Sequence, residues 1–168
     1  GNNTITLNTL SVGTYADCTI TVSKTISNEN SESKLSGSLT ITSFTVTTDT
    51  TAPTVSSISP TDNQYTVSIN DNISVTFSET MDNTSVTTNT ENTTCSGSFQ
   101  VSSDNFSSCV QMSSAPSSSN SNNTYTITSS DNLSRPTTYK IRVSTGVKDS
   151  AGNTLNSQYE TANGFTVD

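Results

Sequence analysis

The sequence contains no histidine and no tryptophan, and only six of its 168 residues are lysine or arginine. Each shortage removes a class of function. Without histidine the commonest general base and metal ligand is missing, so no imidazole-based nucleophile–base arrangement can be built. Six cations against fourteen acidic residues give a net charge of −8. That balance argues against nucleic acid, whose phosphates need clustered lysine and arginine. No apolar run approaches the ~20 residues of a membrane-spanning helix. No charged–apolar–small leader is visible, and the first residue is Gly1 rather than methionine. The chain reads as a mature or excised piece of something larger.

Apolar residues are also few, at 28%. In a helical protein that figure would indicate disorder. A β-sandwich needs only alternate residues of short strands to be apolar, and threonine is itself a good strand residue. Serine and threonine supply 67 residues and asparagine 19. Composition alone therefore accounts for the sequons at Asn2, Asn72, Asn83, Asn92, Asn105, Asn122 and Asn132.

What is present is organised around Leu133 to Asn153. Tyr139, Ile141 and Val143 are apolar, and Lys140 and Arg142 between them are charged. Alternate side chains of a strand point to opposite faces, so this segment has one buried and one wet face. Asp149-Ser150-Ala151-Gly152-Asn153 then supplies turn chemistry: aspartate bonds its own backbone two residues on, and glycine and asparagine accept positive φ.

Taken in order, the pattern predicts strands at Thr4–Leu7, Tyr15–Val22, Leu39–Ile41 and Phe44–Val46, with a polar loop around 28–36. Thr48–Pro53 has linker composition. Further strands are expected at Val55–Ile58, Tyr65–Ile69, Ile73–Phe77, Phe99–Val101, Val110–Met112, Tyr125–Ile127, Tyr139–Val147 and Phe165–Val167. Ser113–Asn123, nearly all serine, asparagine and proline, reads as a mobile loop. Short strands at this spacing indicate an all-β sandwich. Leu10…Tyr15…Val22 echoes Leu133…Tyr139…Val143, and Phe44-Thr-Val46 echoes Phe165-Thr-Val167. The spacing is about one sandwich domain, as in a tandem array.

Pro60, Ile73-Ser-Val-Thr-Phe77-Ser-Glu79-Thr-Met81-Asp82, Tyr125-Thr-Ile127, Tyr139-Lys-Ile and Val147-Lys-Asp149-Ser-Ala-Gly152-Asn153 together resemble the bacterial Ig-like domains of S-layer proteins, large adhesins and other secreted surface proteins. The resemblance implies an Ig-like Greek-key β-sandwich. It divides the chain into 1–48, the C-terminal part of one Ig-like domain and incomplete alone; 49–53, a linker; and 54–168, a complete domain. It also implies an extracellular spacer or adhesive module on the bacterial surface, without enzymatic activity. The alternatives are a fibre subunit completed by a neighbour's strands and an adhesin domain that binds a surface glycan or protein.

In a secreted domain Cys95 and Cys109 are expected to pair, which leaves Cys18 to the unseen part of the first domain, to another chain, or to burial. Tyr139 resembles a tyrosine corner, and Tyr15 its counterpart in the first copy. Asp149, Gly152 and Asn153 are expected to form the structural turn. Arg135, Lys140, Arg142 and Lys148 read as a solvated face, or as a docking stripe for an acidic neighbour. Glu79 and Asp82 lack the aromatics and cleft of a glycosidase pair. No cofactor is expected; Asp49, Asp62, Asp71 and Asp149 offer oxygen ligands of the kind calcium takes, and surface carboxylates or Asx turns account for the same residues. Neighbouring Ig-like domains or identical subunits are the expected partners.

Overall fold

The structure, a computed structural model, describes residues 49–168. The expectations at Tyr15, Cys18 and the four strands before Thr48 lie outside the described residues. Thr50–Asp168 forms one unit, built of eight strands in two antiparallel sheets. These are β1 (Val55–Ser59), β2 (Ile73–Phe77), β3 (Phe99–Ser102), β4 (Ser117–Ser119), β5 (Thr124–Ile127), β6 (Thr137–Val143), β7 (Tyr159–Glu160) and β8 (Phe165–Val167). The first sheet runs β1-β2-β5-β4; the second runs β3-β6-β7, with β8 also on β6. Three of the six strand pairings, β2-β5, β3-β6 and β6-β8, join strands that are not consecutive in sequence, as in a Greek-key sandwich.

Period-2 alternation dictates the faces. Ile73, Val75 and Phe77 of β2 are buried while Ser74 and Thr76 are half-buried. Tyr139, Ile141 and Val143 of β6 are buried, with Lys140 and Arg142 turned to the other side. These residues meet Phe99, Val101, Tyr125, Ile127, Phe165 and Val167 in one core. Phe77 and Tyr125 pack edge to face, and Tyr139 stacks on Phe165. Each fully buried large apolar side chain contributes roughly 1.5–3 kcal/mol, so a core this small depends on all of its members.

Four segments depart from the sequence reading. Tyr65–Ile69 is not a strand, because Asn63 and Thr66 take φ of 65° and 57°. Only Val67 bridges, to Val167. Val110–Met112 makes one bridge, Met112 to Ser129. β6 stops at Val143, short of the expected Val147. Ser113–Asn123 is not a plain loop: Ser117–Ser119 pairs with β5, and the chain reverses through Asn120, Ser121 and Asn122, all at positive φ.

β7 and β8 form one interrupted edge strand. Between the pairs Arg142–Glu160 and Tyr139–Phe165, three steps along β6 face five along its partner. The bulge is closed from both sides. Thr161 donates its N–H to the Ile141 carbonyl (3.0 Å), and its hydroxyl accepts the Ile141 N–H (2.9 Å) in place of a backbone oxygen. Gly164 sits at φ +86°, where any Cβ would collide with the Tyr139 carbonyl.

Candidate functional site

Two sequence motifs converge at the end of the domain where the chain leads into β1. Phe77-Ser-Glu-Thr-Met-Asp82 leaves β2 and ties three segments together. Ser78 exchanges hydrogen bonds with Thr54, donating its N–H to the Thr54 carbonyl (2.9 Å) and accepting the Thr54 N–H on its hydroxyl (3.0 Å). Met81 donates to the Asn122 carbonyl and Asp82 to that of Lys148, each at 2.9 Å. Met81 also bridges Asp149, and Ser150 donates to the Thr80 carbonyl. The Asp149–Asn153 turn is thereby fastened to the segment after β2.

Inside that turn Asp149 is 1% exposed. One carboxylate oxygen accepts the N–H groups of Ala151 and Asn153, both at 2.8 Å, and the other accepts the Asn153 side-chain amide at 2.7 Å. Burial pushes the Asp149 carboxyl up, but these hydrogen bonds outweigh it and hold the group below the usual carboxylate range. Gly152 takes φ +96° with open space around it, so conformation rather than room calls for glycine.

The other acidic residues are used in the same way. Asp62 lies against the β7–β8 bulge and accepts the N–H groups of Asn163 (3.0 Å) and Gly164 (2.6 Å). Burial opposes its ionisation, and these backbone donors win, lowering its pKa. Asp71 accepts the Ser68 N–H. Asp82 accepts the Thr84 hydroxyl and N–H, which hold its pKa down with help from nearby Lys148. Of the expected calcium ligands, Asp62, Asp71 and Asp149 thus have turn-closing work, and Asp49 is exposed. Glu79 brings a carboxylate oxygen within 4.8 Å of one on Asp149.

Tyr139 accepts the Ser134 N–H on its hydroxyl at 2.9 Å, tying the start of β6 to the preceding loop. Cys95 and Cys109 are joined, with sulfurs 2.07 Å apart and Cα atoms 4.9 Å apart. Two members of the basic stripe are paired within the domain, while Arg135 and Lys148 are exposed. Arg142 gives both Nε and Nη2 to one oxygen of Glu160 (3.1 and 3.0 Å) and lies 3.5 Å from the Phe106 ring centroid. Lys140 approaches the same carboxylate at 3.8 Å.

Sequence reasoning missed Thr161 and Gly164 at the bulge, although Asn163-Gly164 is a turn signal, and read Asp62 as a metal ligand rather than as the bulge's acceptor. It also missed the roles of Phe106 and Tyr65 and a pocket of about 200 Å³ beside the start of β1. Pro53, Val55, Leu155 and Tyr159 wall that pocket, with Asn156 and Gln158 among its polar lining. It holds no carboxylate and no nucleophile beyond hydroxyls.

The profile of the family described as bacterial Ig-like domain matches residues 49–167. The chain belongs to the bacterial Ig-like domain family. Among solved structures, domains 1–6 of the surface layer protein SbsC superpose with a TM-score of 0.49 at 22% identity, over 71% of this chain. A second crystal structure of that S-layer protein gives 0.48 at 23% over 70%, and its N-terminal part 0.47 at 23% over 70%. The match spans 14%, 14% and 24% of those chains, respectively. No curated protein matches. Among the described residues no helix is long and apolar enough to cross a membrane.

Proposed function

We propose that this Ig-like domain is a structural module of a bacterial surface protein, a link that sets reach and spacing and carries out no catalysis. One observation carries the reading: most of the polar residues singled out by the sequence are spent on fastening the fold. Asp62, Asp82, Asp149 and Tyr139 each accept backbone N–H groups, and Arg142 is held between Glu160 and Phe106. An enzyme keeps such groups aimed at a cleft. The Cys95–Cys109 bridge supports an extracellular address, since disulfides persist in oxidising compartments.

The tandem layout belongs to the same proposal. Residues 1–48 are the end of a preceding Ig-like domain, completed by strands from elsewhere, and 49–53 link it to the domain at 54–168. The support is the sequence echo between Tyr15 and Tyr139 and between Phe44 and Phe165. Antibody raised against the domain is expected to label intact, unpermeabilised cells of the producing bacterium. Signal only after permeabilisation would overturn the surface reading.

A further inference from the structure

Tyr65 stands out on the surface. It is 69% exposed, and it is the one large hydrophobic side chain among the described residues that the fold leaves in water. The backbone holds it there. Asn63 and Thr66 on either side take positive φ, a conformation seldom adopted by a β-branched residue such as threonine. The segment is also laced to β8: Asn63 donates to the Gly164 carbonyl, Thr166 to that of Gln64, and Val67 to that of Thr166. Tyr65 is therefore presented on a fixed base.

The pocket beside the start of β1 is its complement. Its volume of about 200 Å³ is below the roughly 300–1,000 Å³ of small-molecule sites and is the scale of one aromatic side chain. Pro53, Val55, Leu155 and Tyr159 give it apolar walls, and the amides of Asn156 and Gln158 offer partners for a phenol. No residue lining it is charged, so a neutral ring enters without stranding an ion. The knob and the socket carry no charge, so the contact adds no like-charge pair to the overall repulsion between copies of net charge −8.

One copy cannot join the two. β1 and the β7–β8 strand both begin at the pocket and finish at the Tyr65 end. Even β1 alone separates them by about 13 Å.

We infer that Tyr65 of one copy inserts into the Pro53–Tyr159 pocket of a second copy, forming a head-to-tail contact between identical chains. Two different patches meet, so the contact is heterologous and leaves a free knob and a free socket at the ends. One buried tyrosine covers about 150–250 Å², far less than the ~800 Å² per partner of a stable interface. The contact is weak in dilute solution and gains strength where copies are already held close together.

Sedimentation of the full 168-residue chain across a concentration series tests this. The unmodified chain is expected to form a growing range of oligomers rather than a closed dimer. Tyr65→Ser removes the knob, and Ser157→Trp fills the socket mouth. Each variant alone should weaken association at least about tenfold, while keeping the parent melting temperature, because both positions are exposed. Mixed one to one, the two variants retain one knob and one socket between them and should form a heterodimer and nothing larger. A chain that stays monomeric up to ~1 mM, a Tyr65→Ser variant that still oligomerises, or a mixture that does not dimerise would each overturn the inference.

Discussion

The two sheets bury their inner faces alike and treat their outer faces in opposite ways. The first turns Ser57, Ser59, Thr76 and Thr126 outward beside the exposed β4, a face of hydroxyls with no charged residue in its strands. The second is covered. Gln100 and Ser102 are outward on β3, opposite Arg142 and Lys140, yet only 8% and 1% exposed. The segment after β3 folds back over them. The Ser102 hydroxyl accepts the N–H groups of Asp104 (3.1 Å) and Phe106 (2.9 Å), Phe106 lies on Arg142, and the disulfide fixes the return. A polar residue on a strand thus has two different meanings. On the first sheet it faces water, and on the second it holds down a cover.

Removing the cover's fastener should have the largest effect. Replacing both Cys95 and Cys109 by serine is expected to cost about 3 kcal/mol, the chain-entropy value for a loop of this length. Urea unfolding, extrapolated to water with each form's own slope, would measure it. Proteolysis of that variant should cut first within 103–108 and spare the β4 hairpin; first cleavage in β4 would erase the contrast between the sheets.

Next comes Arg142→Ala, which removes the stack on Phe106 and the shared pair with Glu160. A loss of about 1–2 kcal/mol is expected, from cation–π energy plus a half-exposed ion pair. In a double-mutant cycle with Phe106→Leu, a coupling near zero would show that the ring does not hold the arginine.

A third effect depends on pH. Hydrogen bonds from Ser108 and Ser102 hold the Asp104 carboxyl at about 2, and the pKa values of Asp62, Asp82 and Asp149 are also lowered. A depressed folded-state pKa means that the unfolded chain binds protons first as pH falls. The associated stability is complete above the unfolded carboxylate pKa of about 4 and is lost as pH falls toward 2. Melting temperature should therefore be flat from about pH 5 to 7 and decline below about pH 4. Asp104→Asn should flatten part of that decline. The smallest effect is expected on the open face, where Thr76→Val should change stability by less than about 0.5 kcal/mol.

How legible these features were in the sequence follows from the same contrast. Ile73–Phe77 and Phe165–Val167 have the bounds that alternation predicts, because each has one buried and one wetter face. β4 escaped notice because all three of its residues are exposed serines. A strand with no buried side leaves no apolar signal, and only its backbone pairing with β5 defines it. Tyr65–Ile69 failed in the other direction. Its apolar spacing resembles a strand, but Asn63 and Thr66 turn the backbone out of the extended region. The Asp149–Asn153 turn was readable, since aspartate, glycine and asparagine act through local bonds. The Thr161 bulge was not, because the carbonyl and N–H that it pairs with belong to Ile141, 20 residues away.

The shared direction of β1 and β7–β8 has a mechanical consequence. The chain enters this domain at one end of the strands and leaves at the other, so tension along the polypeptide pulls the first and last strands past their neighbours lengthwise. Hydrogen bonds of β1 to β2 and of β8 to β6 are then loaded together, as overlapped plates resist sliding. A hairpin pulled from its two free ends gives way one pair at a time instead. The interrupted register at Thr161–Gly164 adds a notch to this overlap, closed by Asp62 from the connection between β1 and β2. Behind it, the 14-residue span locked between the cysteines cannot pay out, so the domain yields about 45 Å less length on rupture than its reduced form.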